Sequence, residues 1–469
     1  MTFLGFDVWQ WLALVQHEML LFAGVFFLIG AADDLAVDLV WVWLKLTGRA
    51  NTRTVDRGAT QISELHGPAA IFIPAWHEAS VIGDTIRHAL SGWPQSNLRL
   101  YIGCYKNDAA TISAAMAAAQ GDARLRIVIH SQAGPSTKAD CLNRLYEAMC
   151  DDERRIGVPF SMTVFHDAED LVDPAGLVLL DQAIFEGADF AQLPVEALPQ
   201  AQSRWLGSHY CEEFAEAHGK AMVVRDALGA GLPAAGVGCA VSRAALHGLA
   251  ARRAGAKPFR EDSLTEDYEL GLAVAQSGGK CSFVRARGND GLLIATRAYF
   301  PARLDEIVRQ KTRWVHGIAL QGWDRIGWGN GLIETWMRAR DRRGPMTAFV
   351  LLLGYALIVL TALGWGAISM GYGEPVVLSP ALKWLLIANF VAFVWRATFR
   401  FAFTAREFGI GEGFRAILRI PLTNIVSIMA GRRAVFAYAK TLMGSAIVWD
   451  KTPHTTHPAR MVPAGSGSQ

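Results

Sequence analysis

The chain has 469 residues, of which 52% are hydrophobic and 19% are charged, and its mean hydropathy is +0.21. This composition is more apolar than that of an average soluble protein, and the length allows a large domain together with membrane segments. The net charge of +2 is nearly neutral, and no basic stripe interleaved with aromatic residues occurs outside the flanks of the apolar runs, so nucleic acid is excluded as the expected partner.

The first apolar run covers residues 14–30 and carries one formal charge, Glu18. It is long enough to cross a bilayer core of about 30 Å, so we predict a transmembrane anchor and an amphipathic helix over residues 1–47. No basic region precedes the run, and Asp33-Asp34 stands in place of a small-residue cleavage site. We therefore expect an anchor that is retained, not a signal peptide.

Residues 48–343 alternate short apolar runs with amphipathic stretches. Strands are predicted at 69–73, 98–104, 125–130 and 162–165, and helices at 79–90, 109–119 and 138–149. This order predicts an α/β domain with a mostly parallel sheet covered by helices. Ligands bind at the carboxyl ends of such strands, which points to the loops 74–78, 105–108 and 167–170.

The six cysteines all lie in this region without a CxxC pair, so we expect reduced structural thiols and no zinc site. They are Cys104, Cys141, Cys150, Cys211, Cys239 and Cys281.

Two further apolar runs, 346–370 and 381–395, are predicted to span the membrane within a C-terminal part covering 344–454. The second could reach residue 403 if Arg396 and Arg400 snorkel to the interface. Basic residues flank the spans on one consistent side, which places residues 50–343 in the cytoplasm. Residues 411–449 carry arginines at a spacing typical of interfacial helices, and 455–469 are predicted to be a disordered tail.

Acidic residues follow the predicted strand at 162–165, in the sequence Asp167-Ala-Glu169-Asp170. Carboxylates held at a strand end could bind Mg²⁺ or Mn²⁺ against a diphosphate. A solvated surface loop is the alternative. Farther along, Thr265 is a plausible N-cap for a helix whose first turn holds Glu266 and Asp267; a carboxylate there could act as a catalytic base or serve only in capping.

Gln310, Arg313 and Trp314 stand at positions i, i+3 and i+4, so they share one face of a helix. Arginine suits a departing diphosphate and tryptophan offers a stacking surface for a sugar, whereas a membrane-anchoring role is the alternative. Weaker signals come from Lys138, which could be an ordinary exposed lysine, and from the glycine-containing stretch around Gly236, which could be a plain turn.

The series Asp108, DAED, TED and QKTRW resembles the hallmark D, DxD, [T/E]ED and QxxRW of membrane-embedded, processive family 2 glycosyltransferases, the group of cellulose, chitin and hyaluronan synthases. IPAWHEA, TKADCLN, AAGVGCAVSRAAL and WDKTPH resemble further motifs of that family. DAED, TEDYELG and WDKTPH are most similar to the phage adsorption protein B group of inner-membrane proteins, implicated in export of a surface glycan. The chain departs from the family where His77 replaces the usual asparagine.

The resemblance implies a GT-A-like, Rossmann-like cytoplasmic domain with about three transmembrane helices plus interfacial helices. It assigns Asp267 as the base with Glu266 beside it, and Asp167 with Glu169 or Asp170 as ligands of Mg²⁺ or Mn²⁺. The implied donor-binding residues are Pro74, Glu78, Asp108, Lys138, Asp167 and Arg313; the acceptor-binding residues are Gln310, Arg313, Trp314 and Gly236; the gating residues are Lys451, Thr452 and His454.

The resemblance further implies an inverting hexosyl- or hexosaminyltransferase of the bacterial inner membrane, multi-pass with its catalytic domain in the cytoplasm. It would move a sugar from a UDP-sugar to a growing glycan, processively and with a periplasmic or outer-membrane export partner. Transfer of a single sugar to a lipid acceptor, or an inactive receptor or export scaffold, are the alternatives. The identity of the sugar is not readable from these residues.

Overall fold

The computed structural model describes residues 8–50, 52–372, 377–444 and 456–460. Its strands are β1 Arg53–Val55, β2 Ala69–Pro74, β3 Leu98–Tyr105, β4 Leu125–His130, β5 Met162–Phe165, β6 Phe190–Gln192, β7 Val195–Ala197, β8 Cys239–Ser242, β9 Cys281–Phe283, β10 Ala286–Gly288 and β11 Thr296–Ala298. Its helices are α1 Val8–Leu46, α2 Arg57–Gln61, α3 Ile82–Gly92, α4 Ala109–Ala119, α5 Lys138–Ile156, α6 Gly176–Phe185, α7 His209–Glu216, α8 Met222–Ala227, α9 Arg243–Ala251, α10 Glu266–Gln276, α11 Leu304–Trp314, α12 Gly322–Ile326, α13 Leu332–Arg342, α14 Gly344–Ser369, α15 Pro380–Phe408, α16 Ile410–Leu418 and α17 Ile420–Leu442.

The central sheet has the strand order β4-β3-β2-β5-β8-β6-β9. All neighbouring pairs are parallel except the two made by β8, which runs antiparallel to β5 and β6. The predicted mostly parallel sheet and its first four strands are confirmed. Two short parallel ladders, β1 with β10 and β7 with β11, extend the domain beside the sheet.

Helices cover both faces of the sheet because its central strands are apolar on both sides. In β2, Ile71 and Ile73 belong to a core shared with α3, α4 and α6, whereas Ala70 and Phe72 belong to a core shared with α5, α9 and α10. These four side chains are at most 1% exposed. Such continuous burial is typical of a strand sandwiched between helical layers. The six cysteines are free thiols, as predicted.

Two predicted helix boundaries shift. Helix α3 begins at Ile82, three residues later than expected, because the preceding turn contains His77 in the left-handed region with φ of 54°. Helix α5 continues to Ile156, where Gly157 ends it with φ of +74°.

Within the described part of the chain, α1, α14 and α15 are long and apolar enough to cross a membrane. Helices α16 and α17 form a pair bent by 52°, which could make a fourth, broken span. The three predicted spans are therefore confirmed as helices, and the predicted anchor and amphipathic helix are one continuous helix of 39 residues. The interfacial position of the bent pair stays a prediction.

An ion cluster joins one end of these helices to the domain; we call it the helix junction. Asp34 of α1 accepts hydrogen bonds from Nη2 of Arg340 at 3.0 Å and Nη2 of Arg343 at 2.7 Å, and pairs with Arg396 of α15. Nearby, the indole of Trp395 donates to the carboxylate of Asp38 at 2.8 Å. Arginines predicted to flank the membrane thus bind helices to one another.

The predicted disordered tail is wrong for residues 456–460. His457 and Pro458 are buried, and a short 3-10 turn, Pro458–Arg460, packs against α3. His457 is buried with both ring nitrogens hydrogen-bonded, so this part of the tail is ordered. The composition of the tail did not indicate such a contact.

Candidate active site

One cavity collects residues from distant parts of the sequence at the carboxyl ends of the parallel strands. It is bounded by the end of β2, the start of α5, the loop after β5, the start of α10 and one face of α11. The predicted site residues that line it are Pro74, Glu78, Lys138, Asp167, Glu169, Asp170, Glu266, Asp267, Gln310, Arg313 and Trp314. The predicted rim location is therefore correct.

Lys138, the first residue of α5, points its ammonium group into an acidic environment. Its Nζ lies 2.6 Å from Oδ1 of Asp167. Burial lowers the pKa of this lysine, but the carboxylates of Asp167, Glu266 and Asp267 outweigh burial and raise it. A positive charge is therefore held in the cavity at neutral pH, beside carboxylates from two separate loops.

The carboxylates of Glu266 and Asp267 lie in the first turn of α10. Burial raises the pKa of Glu266 to about 7, with a further contribution from Asp267 and against the opposing effect of Lys138. Oδ1 of Asp267 accepts a hydrogen bond from the amide of Tyr268 at 2.7 Å. Its other oxygen faces Gly236, where an added Cβ would lie 2.4 Å from Oδ2.

Gly236 has a φ of +84°, so both its backbone conformation and the adjacent carboxylate require glycine. It was predicted to bind the acceptor. The structure places it against Asp267, where it forms the wall behind the carboxylate.

Thr265 occupies the predicted N-cap position of α10, but its side chain makes no capping hydrogen bond. The hydroxyl is buried with no hydrogen-bond partner among the described residues, and a Cβ at Gly317 would lie 2.5 Å from it. The side chain packs instead against Val315–Gln321, a π-helical turn that follows α11, because tertiary packing overrides the local preference.

The shared face of Gln310, Arg313 and Trp314 is confirmed, and it faces the cavity. Oε1 of Gln310 accepts a hydrogen bond from the hydroxyl of Tyr210 at 2.7 Å. The ring of Tyr210 lies edge-on to Trp314 at 6.0 Å and is stacked on Phe300 at 4.7 Å. Aromatic side chains therefore hold the amide and the indole in place.

In the DAED loop, the last carboxylate has a structural function. Asp170 is 1% exposed, and its Oδ2 accepts hydrogen bonds from the amide of Asp167 at 2.9 Å and from Nδ1 of His166 at 3.0 Å. Burial raises the pKa of Asp170 despite the hydrogen bond from His166. Asp170 thus closes the turn that presents Asp167 and Glu169 to the cavity.

The predicted metal ligands do not form a closed cage. Among the residues that the structure describes, no group of three or more His, Cys, Asp or Glu side chains is arranged to hold a metal ion by itself. Enzymes that use Mg²⁺ commonly supply one or two carboxylates and leave the other positions to substrate phosphates and water. The oxygen donors Asp167 and Glu169 at the cavity fit an ion of that kind.

Asp108 is not among the residues that line the cavity. Its carboxylate caps α4 by accepting a hydrogen bond from the amide of Thr111 at 3.3 Å, and it accepts another from the amide of His77 at 2.6 Å. Burial raises its pKa, but these hydrogen bonds outweigh burial and lower it. Histidine and asparagine both tolerate the left-handed φ better than most residues, which accounts for His77 at this position. The predicted contact of Asp108 with the nucleotide stays a prediction.

Sequence reasoning missed several aromatic residues. Phe214, Tyr299 and Phe300 line the cavity, and Tyr210 supports Gln310 from α7. None belongs to a motif, and only the position of Tyr299 and Phe300 directly after β11 could have indicated them. The predicted gating residues Lys451, Thr452 and His454 lie outside the described residues.

The family model described as "Glycosyltransferase like family 2" matches residues 66–317. Over 462 residues the chain is 31% identical to the bacteriophage adsorption protein B of Escherichia coli strain K12 and to the bacteriophage N4 adsorption protein B of Escherichia coli O157:H7. The match covers 92% of this chain and 61% of each relative, so the chain spans about three fifths of the length of the curated relatives it matches.

Among solved structures, the chain is similar to mannosyltransferase PcManGT from Pyrobaculum calidifontis in complex with GDP-Man and Mn²⁺, at 14% identity and a TM-score of 0.48, covering 87% of this chain and 99% of that one. It is also similar to glucosyl-3-phosphoglycerate synthase from Mycobacterium tuberculosis in complex with Mg²⁺ and UDP, at 16% identity and a TM-score of 0.35, covering 60% and 88%.

The family match covers more than half of the chain and includes every strand of the central sheet, the DAED loop, the start of α10 and the QxxRW face of α11. Together with the observed sheet, it confirms the predicted GT-A-like α/β fold and the predicted resemblance. The chain belongs to glycosyltransferase family 2.

Proposed function

We propose that this enzyme is an inverting, metal-dependent transferase of a bacterial inner membrane, which moves a sugar from a UDP-sugar to a growing glycan. The observation that carries the proposal is the single cavity in which Lys138, Asp167, Asp267 and Arg313 meet. Sugar transfer from a nucleoside diphosphate needs a base for the acceptor hydroxyl and positive charge for the leaving diphosphate, and this cavity offers both.

In the proposed reaction, Asp267 removes the proton from the acceptor hydroxyl while the oxygen attacks the sugar. The backbone amide of Tyr268 and the close wall at Gly236 fix its carboxylate, so little reorientation is needed before proton transfer. One in-line displacement inverts the anomeric centre.

Lys138 and Arg313 stabilise the negative charge that develops on the departing diphosphate. Asp167 and Glu169 would hold Mg²⁺ or Mn²⁺, which when bound supplies further positive charge against that diphosphate. On binding, the diphosphate would replace Asp167 as the partner of the Lys138 ammonium group, which now lies 2.6 Å from that carboxylate.

The acceptor is assigned to the α11 side of the cavity, where Trp314 offers a stacking surface and Gln310 an amide. Helix α11 leads through the π-helical turn Val315–Gln321 toward α14, one of the helices long enough to cross a membrane. We therefore propose processive synthesis with export, by a cytoplasmic catalytic domain and with a periplasmic or outer-membrane partner.

A second candidate comes from the relatives, whose names state a role in bacteriophage adsorption. A membrane scaffold with an inactive transferase fold could serve such a role. The charged groups at the cavity favour the enzyme, since an inactive site has no need to keep a half-buried lysine among three carboxylates.

The test is nucleotide release by the full chain reconstituted in lipid, with Mg²⁺ or Mn²⁺ and a panel of UDP- and GDP-sugars. Asp267→Asn should lower the rate by about a thousandfold or more, because the amide cannot accept the proton. Asp305→Asn is the matched control, since Asp305 is an exposed aspartate in the first turn of α11.

Release from one donor that depends on metal and on Asp267 would establish the transferase and identify its sugar. A product that stops at one sugar on a lipid would replace the processive proposal with the lipid-acceptor alternative. A folded wild-type protein that is inactive with every donor would favour the scaffold.

A further inference from the structure

Residues 456–460, here called the strap, pack between α3 and the DAED loop. His457 is 0% exposed. Its Nδ1 accepts a hydrogen bond from the amide of Ala459 at 3.1 Å, so Nε2 carries the proton and donates to the backbone carbonyl of Asp170, also at 3.1 Å. A buried histidine with both ring nitrogens satisfied is a fixed contact with one orientation.

The strap is anchored a second time at its end. Nη2 of Arg460 donates to the carbonyl of Ser80 at 2.8 Å, and its Nε lies 2.5 Å from the carboxylate of Asp84 on α3. This pair is partly exposed, so it contributes little to stability, and the buried histidine carries most of the specificity of the contact.

Asp170 links the contact made by His457 to the cavity. While the carbonyl of Asp170 accepts from His457, the carboxylate of Asp170 accepts from the amide of Asp167, whose side chain lines the cavity. On the far side of the loop, the amide of Leu171 donates to the carbonyl of Arg297 at 2.7 Å. The DAED loop is thus held by β11 on one side and by the strap on the other.

We propose that His457 is a positioning residue for the donor site, which keeps Asp167 and Glu169 arranged for a nucleoside diphosphate and its divalent cation. The inference rests on the proposed function, because it assumes that these carboxylates bind that pair. A segment that follows α17 in the chain therefore completes the support of a loop that lies nearly three hundred residues earlier.

The test compares wild type with His457→Ala and His457→Gln in the full chain reconstituted in lipid. Binding of UDP and of GDP is measured during a Mn²⁺ titration, and hydrogen exchange is followed at the amides of 167–171. His457→Ala should weaken Mn²⁺-dependent nucleotide binding by about tenfold, as is typical when a residue that orients a metal ligand is lost. Exchange at 167–171 should accelerate.

His457→Gln should restore much of the affinity, because its amide can still donate to the carbonyl of Asp170. Arg87→Ala is the matched control: Arg87 also binds Asp84, at 2.5 Å, but it does not contribute to the hydrogen bond between His457 and the carbonyl of Asp170. This variant should bind nucleotide as the wild type does.

Unchanged nucleotide binding and unchanged exchange in His457→Ala, in a wild type that binds nucleotide, would overturn this inference alone. Exchange that accelerates equally across β2 and β5 in both histidine variants would also overturn it, since His457 would then stabilise the whole domain. A wild type that binds neither nucleotide would instead contradict the proposed function.

Discussion

The cavity and the helix junction are both clusters of charged side chains withdrawn from solvent, but their charge balance is opposite. In the cavity, the ammonium group of Lys138 faces three carboxylates, and the pKa of Glu266 rises to about 7. At the junction, two carboxylates, Asp33 and Asp34, face three guanidinium groups, from Arg340, Arg343 and Arg396.

This difference separates a reactive site from a structural joint. Excess negative charge in the cavity attracts a divalent cation, and burial, with a contribution from Asp267, raises the pKa of Glu266 close to neutral pH. At the junction, ion pairs connect α1, α13 and α15, and their loss leaves unpaired buried charge. Substitutions in the cavity should therefore reduce activity in a folded protein, and substitutions at the junction should reduce stability.

Within this comparison, the largest effect is expected for Lys138→Met, which removes one cation from the cavity while keeping the length of the side chain. The diphosphate then meets three carboxylates without the ammonium group, and transfer should fall by about a thousandfold. The fall in transfer is measured as nucleotide release at saturating Mn²⁺. The exposed Lys106→Met on the neighbouring loop is the control, and a Lys138→Met enzyme with the control's rate would contradict the assignment of Lys138 to the donor.

Asp34→Asn tests the junction. The three guanidinium groups would lose this carboxylate, while Asp33 still pairs with Arg340 and Arg343, so the free energy of unfolding should fall by about 2 kcal/mol. Transfer per folded molecule should stay unchanged. Thermal unfolding in detergent measures the loss, and Asp151→Asn, which breaks an exposed pair with Arg154, should change stability very little. An Asp34→Asn protein with normal stability but impaired transfer would contradict the structural role of the junction.

Gly236→Ala should lower the rate of transfer by about a hundredfold. The added Cβ would displace the Asp267 carboxylate, and proton transfer is very sensitive to the position of the base. Gly278→Ala is a close control: Gly278 has a φ of +86° against +84° at Gly236, but an added Cβ there meets no atom within 4 Å. Both variants carry the backbone strain, so only a clash with Asp267 separates their rates. Equal rates would show that the wall behind the carboxylate is unimportant.

The sequence predicted the sheet and most of the cavity because the signals were local. A buried strand such as β2 is a continuous apolar run, and Gln310, Arg313 and Trp314 share a face through helical periodicity alone. The family motifs then identified which acidic residues lie at the rim. Each of these patterns depends on residues that are close in sequence, within about one or two helical turns.

The sequence could not predict the partners that come from far along the chain. Tyr210 binds Gln310 across 100 residues, and His457 reaches the carbonyl of Asp170 across 287. Thr265 looks like a cap until the π-helical turn after α11 packs against it. From the sequence, Arg396 is predicted only to flank a membrane span and Asp34 only to stand in place of a cleavage site, because their pairing needs the helices side by side. Tertiary contacts leave no local pattern.

The smallest effect is expected for Glu266→Gln, and it concerns pH. Burial raises the pKa of Glu266 to about 7, so in the wild type this carboxyl is neutral below that pH and ionised above it. Ionised Glu266 adds negative charge beside Asp267 and strengthens the attraction of that site for the acceptor proton, so the transfer rate should rise about threefold as the pH passes through about 7. Glutamine stays neutral throughout. Glu266→Gln should therefore lose this rise and keep the lower rate of the acidic wild type, as measured by nucleotide release across the pH range. A rise that persists in Glu266→Gln would assign the titration to another group. Glu266 would then have a structural role, like the charges of the junction, and not a role in the reaction.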